Sequence, residues 1–292
     1  MTADTIAQAQ RAPDATVGEQ FADAYFRDGD AAAVTFGFTI TDAFQPTKER
    51  PRVTVRNLFR KLPAAGQDEA TFWCESRPPA GSPAVHEAGL RREATFRSGV
   101  GRAQVHPIRA WVQIPPGLAH DRAGLAAFID FRLLVRLATA ENQALTIGPH
   151  GLLRHPGVAR LPYQGGFVAG LLAACNEIEQ TGATPHAMII NPADYYFTLA
   201  GTPLLADLAR GAVLICRTRM VPPGQALVGD FAMAAKLLDG GRSVIRVAEP
   251  PPGTFAGPGT AVCAEIWEGL AVQLPTHFYL TVPADAPPEQ VR

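Results

Sequence analysis

Apolar positions recur along this chain with two different periods, and the places where the period changes mark its organisation. Between 122 and 147, Leu125, Phe128, Ile129, Leu133, Leu137, Ala140 and Ala144 fall at i, i+3 and i+4 spacing and predict one long amphipathic helix. Asp121 stands where an N-cap belongs and Gly148 where the helix should stop. At about 1.5 Å per residue such a helix is ~40 Å long, a spine across a whole domain. Phe167, Leu171, Leu172, Cys175 and Ile178 define a second helix over 166–181, ended by Gly182.

Elsewhere the period is two. VTVRNLF (53–59) and ATFWCES (70–76) read as strands joined by the turn region RKLPAAGQDE, which predicts a long hairpin. It has few apolar residues with which to build its own core, so it is expected to reach across another molecule. After the Pro-rich break RPPAGSP, EATFRSG and AQVHPIRAWVQIP are expected to pair around a turn at Gly99–Gly101, and GPHGLLRHPGVARLP reads as a short hairpin behind the spine. Beyond 165 helix and strand alternate. HAMIINP is a buried strand stopped by Pro192, ADYYFTLAG a helical turn, PLLADLARG a short helix and AVLICRTRM an apolar strand. ALVGDFAMAAKLLDG and SVIRVAEP follow, and TAVCAEIWEGLAVQLPTHFYLTV adds two more strands. Residues 1–30 are polar, contain Pro13, Gly18 and Gly29, and carry one short amphipathic turn with Phe21, Tyr25 and Phe26. They read as an arm that packs on its own body or on a neighbour. The tail PADAPPEQVR is disordered by composition.

Composition adds limits. A chain of 292 residues with 47% hydrophobic and 18% charged content folds without a metal or disulfide staple. The net charge of −1, with no charged block, gives no electrostatic reason to hold a specific nucleic acid, although a container need not neutralise its contents residue by residue. Cys74, Cys175, Cys216 and Cys263 are far apart and read as buried free thiols in a reducing compartment. The polar start and the absence of ~20 uninterrupted apolar residues lead to the expectation of a cytoplasmic protein that spans no membrane.

Clustered chemistry is missing. The seven histidines are scattered, and no H-E-x-x-H, G-x-S-x-G, P-loop or G-x-G-x-x-G motif follows a strand, so no enzyme, cofactor or metal is expected. His150 and His155 flank a turn; Asp194 and Asp207 admit an acid and base reading, but Asp194 follows Asn191–Pro192 as turn chemistry does.

The order of these pieces resembles the major capsid fold of tailed phages, the Hong Kong 97 type, and the encapsulin nanocompartment shells that share it. The resemblance runs from about Val53 to Val282. Its most specific stretch has a helix ending in Glu179, Gly182 and Pro185, then MIINPADYY, then GTPLLADLARGAVLICRTRMVPPGQALVGDF. AENQALTIGPHG, closing the spine, is similar to the acidic helix end before a Gly-rich hairpin in capsid proteins. The resemblance implies an α+β, phage major-capsid-like fold. Its parts are an N-terminal arm (1–48), an extended E-loop hairpin (49–84), a peripheral domain with the long spine helix (85–164), an axial domain (165–259), returning peripheral strands (260–284) and a tail (285–292). It implies a subunit that assembles with copies of itself into a closed icosahedral shell. Ala200, Gly201 and Thr202 would line a pore, and a cargo enzyme would dock by a short peptide in a groove marked by Phe21, Tyr25, Phe26, Leu125 and Phe128. Some capsids crosslink a hairpin lysine to a neighbour's asparagine. Lys61 sits in the expected hairpin, but no asparagine follows Thr260, so no crosslink is expected.

Three functional readings stay open at this point: an encapsulin enclosing a cargo enzyme, a phage or prophage capsid protein enclosing DNA, and an unrelated soluble enzyme or binding module. The segment of about fifty residues before the hairpin is short for a phage scaffolding region and favours the first. MVPPGQALVGDF reads at least as phage-like.

Overall fold

Two structural units share the chain, each built from three stretches of it. One takes Met1–Pro51, Pro107–Ala140 and Arg242–Trp267; the other takes Arg52–His106, Glu141–Gly241 and Glu268–Arg292. The computed structural model describes residues 15–36, 54–76, 86–87, 90–91 and 97–285. Its strands are β1 (Ala33–Thr35), β2 (Arg60–Pro63), β3 (Glu69–Ser76), β4 (His86–Glu87), β5 (Leu90–Arg91), β6 (Arg97–Gln104), β7 (His106–Gln113), β8 (Ala159–Tyr163), β9 (Ala187–Ile190), β10 (Leu214–Arg217), β11 (Ala226–Gly229), β12 (Ala235–Val247), β13 (Ala261–Val272) and β14 (Phe278–Pro283).

In the first unit the arm forms a helix, Val17–Asp28, started by a capping box. The Thr16 hydroxyl accepts from the Glu19 amide at 3.1 Å and the Glu19 carboxylate accepts from the Thr16 amide at 2.8 Å. Phe21, Ala22 and Ala24 are buried. The chain then enters a sheet, with β1 antiparallel to β12 from Ala33 opposite Arg246 to Thr35 opposite Val244. The described part of the expected arm, 15–36, is thus built into its own body. The spine begins where expected, the Asp121 carboxylate accepting from the Gly124 amide at 3.0 Å. It is not a uniform α-helix: Arg122–Phe128 and Leu134–Thr146 are separated by a π-turn, Ile129–Leu133. Leu125, Ile129, Leu133, Leu134 and Leu137 are all buried, so the apolar stripe was correct while the wider turn within it was invisible to it.

The second unit centres on a sheet in the order β10-β9-β11-β14-β8, in which β10 runs parallel to β9 and β14 parallel to β8. The central strands β9 and β11 are buried at every position, which is why AMII and ALVG read as unbroken apolar runs. One face takes the helix Phe167–Gln180 through Leu171, Ala174 and Ile178 against Met188, Ile190 and Val228. The other face packs Ile189, Leu227 and Leu280 with Phe231, Phe278, Leu58 and Leu145.

Several expected pairings are replaced by others. Within VTVRNLF, residues 54–59 form no strand: Val55–Leu58 is a 3₁₀ turn whose Val55 and Leu58 enter the core. β2 pairs with β12 and leaves ATFWCES to pair with β6 across eight positions, from Glu69 opposite Gln104 to Ser76 opposite Arg97. Lys61 therefore stands on β2 and not on the projecting hairpin. Gly99 and Gly101 lie inside β6 and make no turn. A Cβ on Gly101 would meet the Phe72 ring at 2.7 Å, so this glycine leaves room for an aromatic laid across its strand. GPHGLLRHPGVARLP is no hairpin either, because Ala159–Tyr163 pairs with β14 from far along the chain. Pro13, the RPPAGSP break, residues 93–96 of the expected strand EATFRSG and the tail beyond 285 lie outside the described residues.

A buried charge cluster ties the second unit together. Arg56, on the 3₁₀ turn, is 4% exposed and donates from one guanidinium nitrogen to Glu141, at 2.9 Å, and to Glu268. Its other terminal nitrogen lies 3.4 Å from Asp239. Both glutamates are buried, and among the described residues the second oxygen of each has no hydrogen-bond partner. Burial raises the Glu141 carboxyl to about 7, against the opposing pull of Arg56 and Lys61. The folded chain therefore holds a proton that the unfolded chain releases. This contribution to stability is full below about 4.5 and is lost as pH rises through about 7. His106, His155 and His277, lowered by burial, act in the opposite sense and lose stability as pH falls below 6.5. We expect stability to urea to fall by about 1 kcal/mol from pH 6.5 to 8, and Glu141→Gln to flatten that limb while leaving the histidine limb in place.

Candidate assembly and cargo surfaces

The arm helix approaches the spine closely because Gly18 has no side chain. A Cβ there would fall 2.1 Å from the Ala126 carbonyl oxygen and 2.7 Å from the Asp130 carboxylate carbon. The Gly18 amide instead donates to Asp130 at 2.7 Å, placing a carboxylate from the π-turn at the N-terminus of the arm helix. Half-burial raises the Asp130 pKa, and the Gly18 amide opposes that shift. Arg122 closes the next turn on Asp23, at 2.6 Å from its Nε. Beside this seam runs a groove of about 630 Å³, whose walls include Thr16, Glu19, Ala22, Ala126, Asp130 and Phe131.

None of the five sequence-based groove residues lines that space. Phe21 and Leu125 are fully buried, Tyr25 and Phe128 half-buried, and Phe26 is exposed. The apolar stripe found buried side chains, Phe21 and Leu125, and not the lining of the groove. The groove wall is made of alanines and carboxylates, whose signal is spacing on the opposite side of the same helices, together with the exposed Phe131.

The axial loop follows from turn chemistry. Asn191 accepts from the Ala193 amide at 2.9 Å and donates to the Val221 carbonyl at 2.8 Å, while Asp194 accepts from the Gly224 amide at 2.9 Å. The two matched segments MIINPADYY and VPPGQ thereby lock each other, and Asp194 is a structural carboxylate. Asp207 pairs with Arg210. Ala200 and Gly201 are exposed and Thr202 is half-buried; Gly201 has φ +80°, and the Thr202 hydroxyl donates to the Leu199 carbonyl at 2.7 Å. Next to this loop stand two aromatics that sequence reasoning passed over, Tyr196 and Phe197, the latter 90% exposed. Arg217 stacks 4.6 Å above the Tyr195 ring and donates to the Tyr196 hydroxyl at 2.7 Å, fixing the base of this protrusion.

On the β3–β6 ribbon, Trp73 and Val100 face each other across the strands and are 48% and 78% exposed. An apolar cross-strand pair on a two-stranded ribbon has nothing of its own to bury it. The catalytic alternatives gain no geometry. All four cysteines are free, Cys216 and Cys263 buried and Cys74 and Cys175 half-buried. Among the described residues no group of three or more His, Cys, Asp or Glu is placed to hold a metal, and no helix is long and apolar enough to cross a membrane.

No protein-family model matches the chain, and no curated protein matches it significantly. Solved structures do. A virus-like particle protein from Pyrococcus furiosus aligns with TM-score 0.58 at 14% identity, covering 82% of this chain and 96% of its own. The capsid of a native GTA particle aligns at 0.54 and 14%, covering 79% and 90%. A chain from Mycobacterium phage Adephagia aligns at 0.54 and 11%, covering 99% of both. The chain thus has the mixed helix-and-sheet fold of phage major capsid proteins, as its sequence led us to expect.

Gly18→Ala is expected to cost about 1–3 kcal/mol of arm docking, because the backbone at Ala126 cannot yield as a side chain would. Limited proteolysis should then cut within the arm helix while the rest of the chain stays protected.

Proposed function

We propose that this chain is a non-enzymatic shell subunit that assembles with copies of itself into a closed icosahedral compartment. The observation that carries this reading is the β3–β6 ribbon, which presents Trp73 and Val100 to solvent within a capsid fold. Such a ribbon is marginal alone and gains its burial from a neighbour, and contacts repeated around several rotation axes close a shell. Phe197 and Tyr196 supply a second surface of the same kind beside the pore-candidate residues Ala200, Gly201 and Thr202. The small uncharged side chains of that loop would pass small polar solutes with little charge selection.

Of the two kinds of container, we favour a cytoplasmic encapsulin enclosing a cargo enzyme. The likeness to the Pyrococcus furiosus virus-like particle and the near-neutral chain support it. The cargo peptide would lie in the groove between arm helix and spine, with Phe26 and Phe131 at hand as exposed aromatics and Phe21, Tyr25, Leu125 and Phe128 acting mainly as the wall's support. A phage capsid protein enclosing DNA is the second reading, favoured by the match that covers 99% of this chain.

Size-exclusion chromatography and negative-stain microscopy of the chain expressed alone test the reading. Uniform hollow particles with a protein-like ultraviolet spectrum support the compartment. Particles filled with nucleic acid support the capsid, and a stable monomer overturns autonomous assembly. Val100→Asp and Phe197→Asp should each weaken assembly by about 2 kcal/mol or more per contact, roughly thirtyfold, with unchanged circular dichroism.

A further inference from the structure

Glu141 and Glu268 accept from the same guanidinium nitrogen of Arg56, and all three side chains are at most 4% exposed. Two further charged groups face Glu141: Asp239 on β12, which is partly exposed, and Lys61 on β2, which is exposed and screened by water. The buried part of the cluster therefore sets two carboxylates against one cation. Among the described residues the second oxygen of each glutamate has no hydrogen-bond partner, and neither oxygen touches solvent. An ionised carboxylate without a partner is strongly unfavourable in such surroundings. A proton is the counter-charge that needs no room of its own, and one proton on the pair removes the excess.

The same cluster sits at the root of the β3–β6 ribbon. The Val55 amide, next to Arg56, donates to the Asn142 side chain, next to Glu141, at 3.2 Å, so the 3₁₀ turn is hooked twice to the end of the spine. Beyond the turn β2 runs parallel to β12 and ends opposite Asp239, whose carbonyl accepts from the Ala64 amide at 2.8 Å. Residues 64–68 then lead into β3, and the Val105 amide, just past β6, donates to the Asp68 carbonyl at 2.9 Å. Val55 and Leu58 are anchored in the core, whereas β2 is exposed at all its positions and is held by its pairing with β12 and by the cluster. A segment with so little apolar burial is the part of this unit that yields first.

We propose that this cluster is a proton-set latch: one proton on the Glu141–Glu268 pair keeps β2 closed on β12, and its loss releases β2 and loosens the root of the ribbon. Burial raises the Glu141 carboxyl from 4.5 to about 7 in the closed form, against the pull of Arg56 and Lys61. Opening returns the carboxyl to water and to its ordinary value, so the closed form holds the proton more tightly. Opening therefore becomes easier as pH rises from about 4.5 to about 7 and levels off above, where both forms are ionised. This inference stands whether or not the ribbon is an assembly surface. In an assembled shell the same step would tie the ribbon contact to pH.

The test is hydrogen–deuterium exchange of the purified full-length protein, in whatever assembly state it adopts, read by mass spectrometry from pH 5 to pH 8 and corrected for the intrinsic pH dependence of exchange. Peptides covering 54–68 are expected to lose protection about tenfold or more between pH 5 and 7, and less than about threefold between pH 7 and 8. At every pH they should stay less protected than peptides covering β9 and β11. Glu141→Gln removes the charge that the proton neutralises, and should hold 54–68 near its pH 5 protection throughout. Glu268→Gln leaves Glu141 alone with Arg56, gives the same result, and decides the matter if Glu141→Gln fails to fold. Three results overturn the latch: protection of 54–68 that does not change with pH, protection equal to that of β9 and β11, or an undiminished loss in the folded variant.

Discussion

Arg56 is the group on which the second unit most depends. Its guanidinium holds Glu141 at the end of the spine and Glu268 on β13 from a turn that is itself buried. Three carboxylates, Glu141, Glu268 and Asp239, share this cation, and among the described residues the second oxygen of each glutamate has no hydrogen-bond partner. Removing a single member of such a group typically costs about 3–5 kcal/mol, because the charges left behind have neither water nor partner. The same contact decides the local backbone. Arg56 can reach both carboxylates because Val55–Leu58 turns inward as a 3₁₀ segment, and that turn sends β2 to pair with β12.

With β2 committed there, β3 finds its partner in β6, and the two form a ribbon with apolar side chains open to solvent. At the centre of this unit's sheet, β9 and β11 are buried at every position. The most exposed large apolar side chains of this unit are Val100 on the ribbon and Phe197 on a protrusion whose base is held by Arg217. A capsid fold with a finished core and two such apolar prominences has its remaining hydrophobic burial still to make, and copies of itself are the partner we propose.

In the first unit a glycine has the corresponding role. Gly18 admits the arm helix to the spine, and the π-turn supplies Asp130 to its N-terminal amide. Read along the chain, Gly18 looked like one of several breaks in a polar arm. A glycine that interrupts a helix and a glycine that permits close helix packing have the same signature in one sequence. Only the partner backbone at Ala126 separates them.

What the sequence determined by itself was everything carried by local periodicity and end chemistry. The extent of the spine and its Asp121 cap, the helix over Phe167–Gln180, the buried strand AMII and the Asn191–Pro192 turn all follow from neighbours within a few residues. The order of these elements was enough to mark the fold. Tertiary structure alone decided the pairing of strands far apart in sequence: β3 with β6, β2 with β12, β8 with β14. Period-two alternation says that a strand has two faces and is silent about which edge it meets. The same limit applied to the sites. An apolar stripe identifies which side of a helix is covered, so it led to the buried Phe21 and Leu125, whereas the groove and the ribbon's Trp73–Val100 pair exist only where separate segments converge.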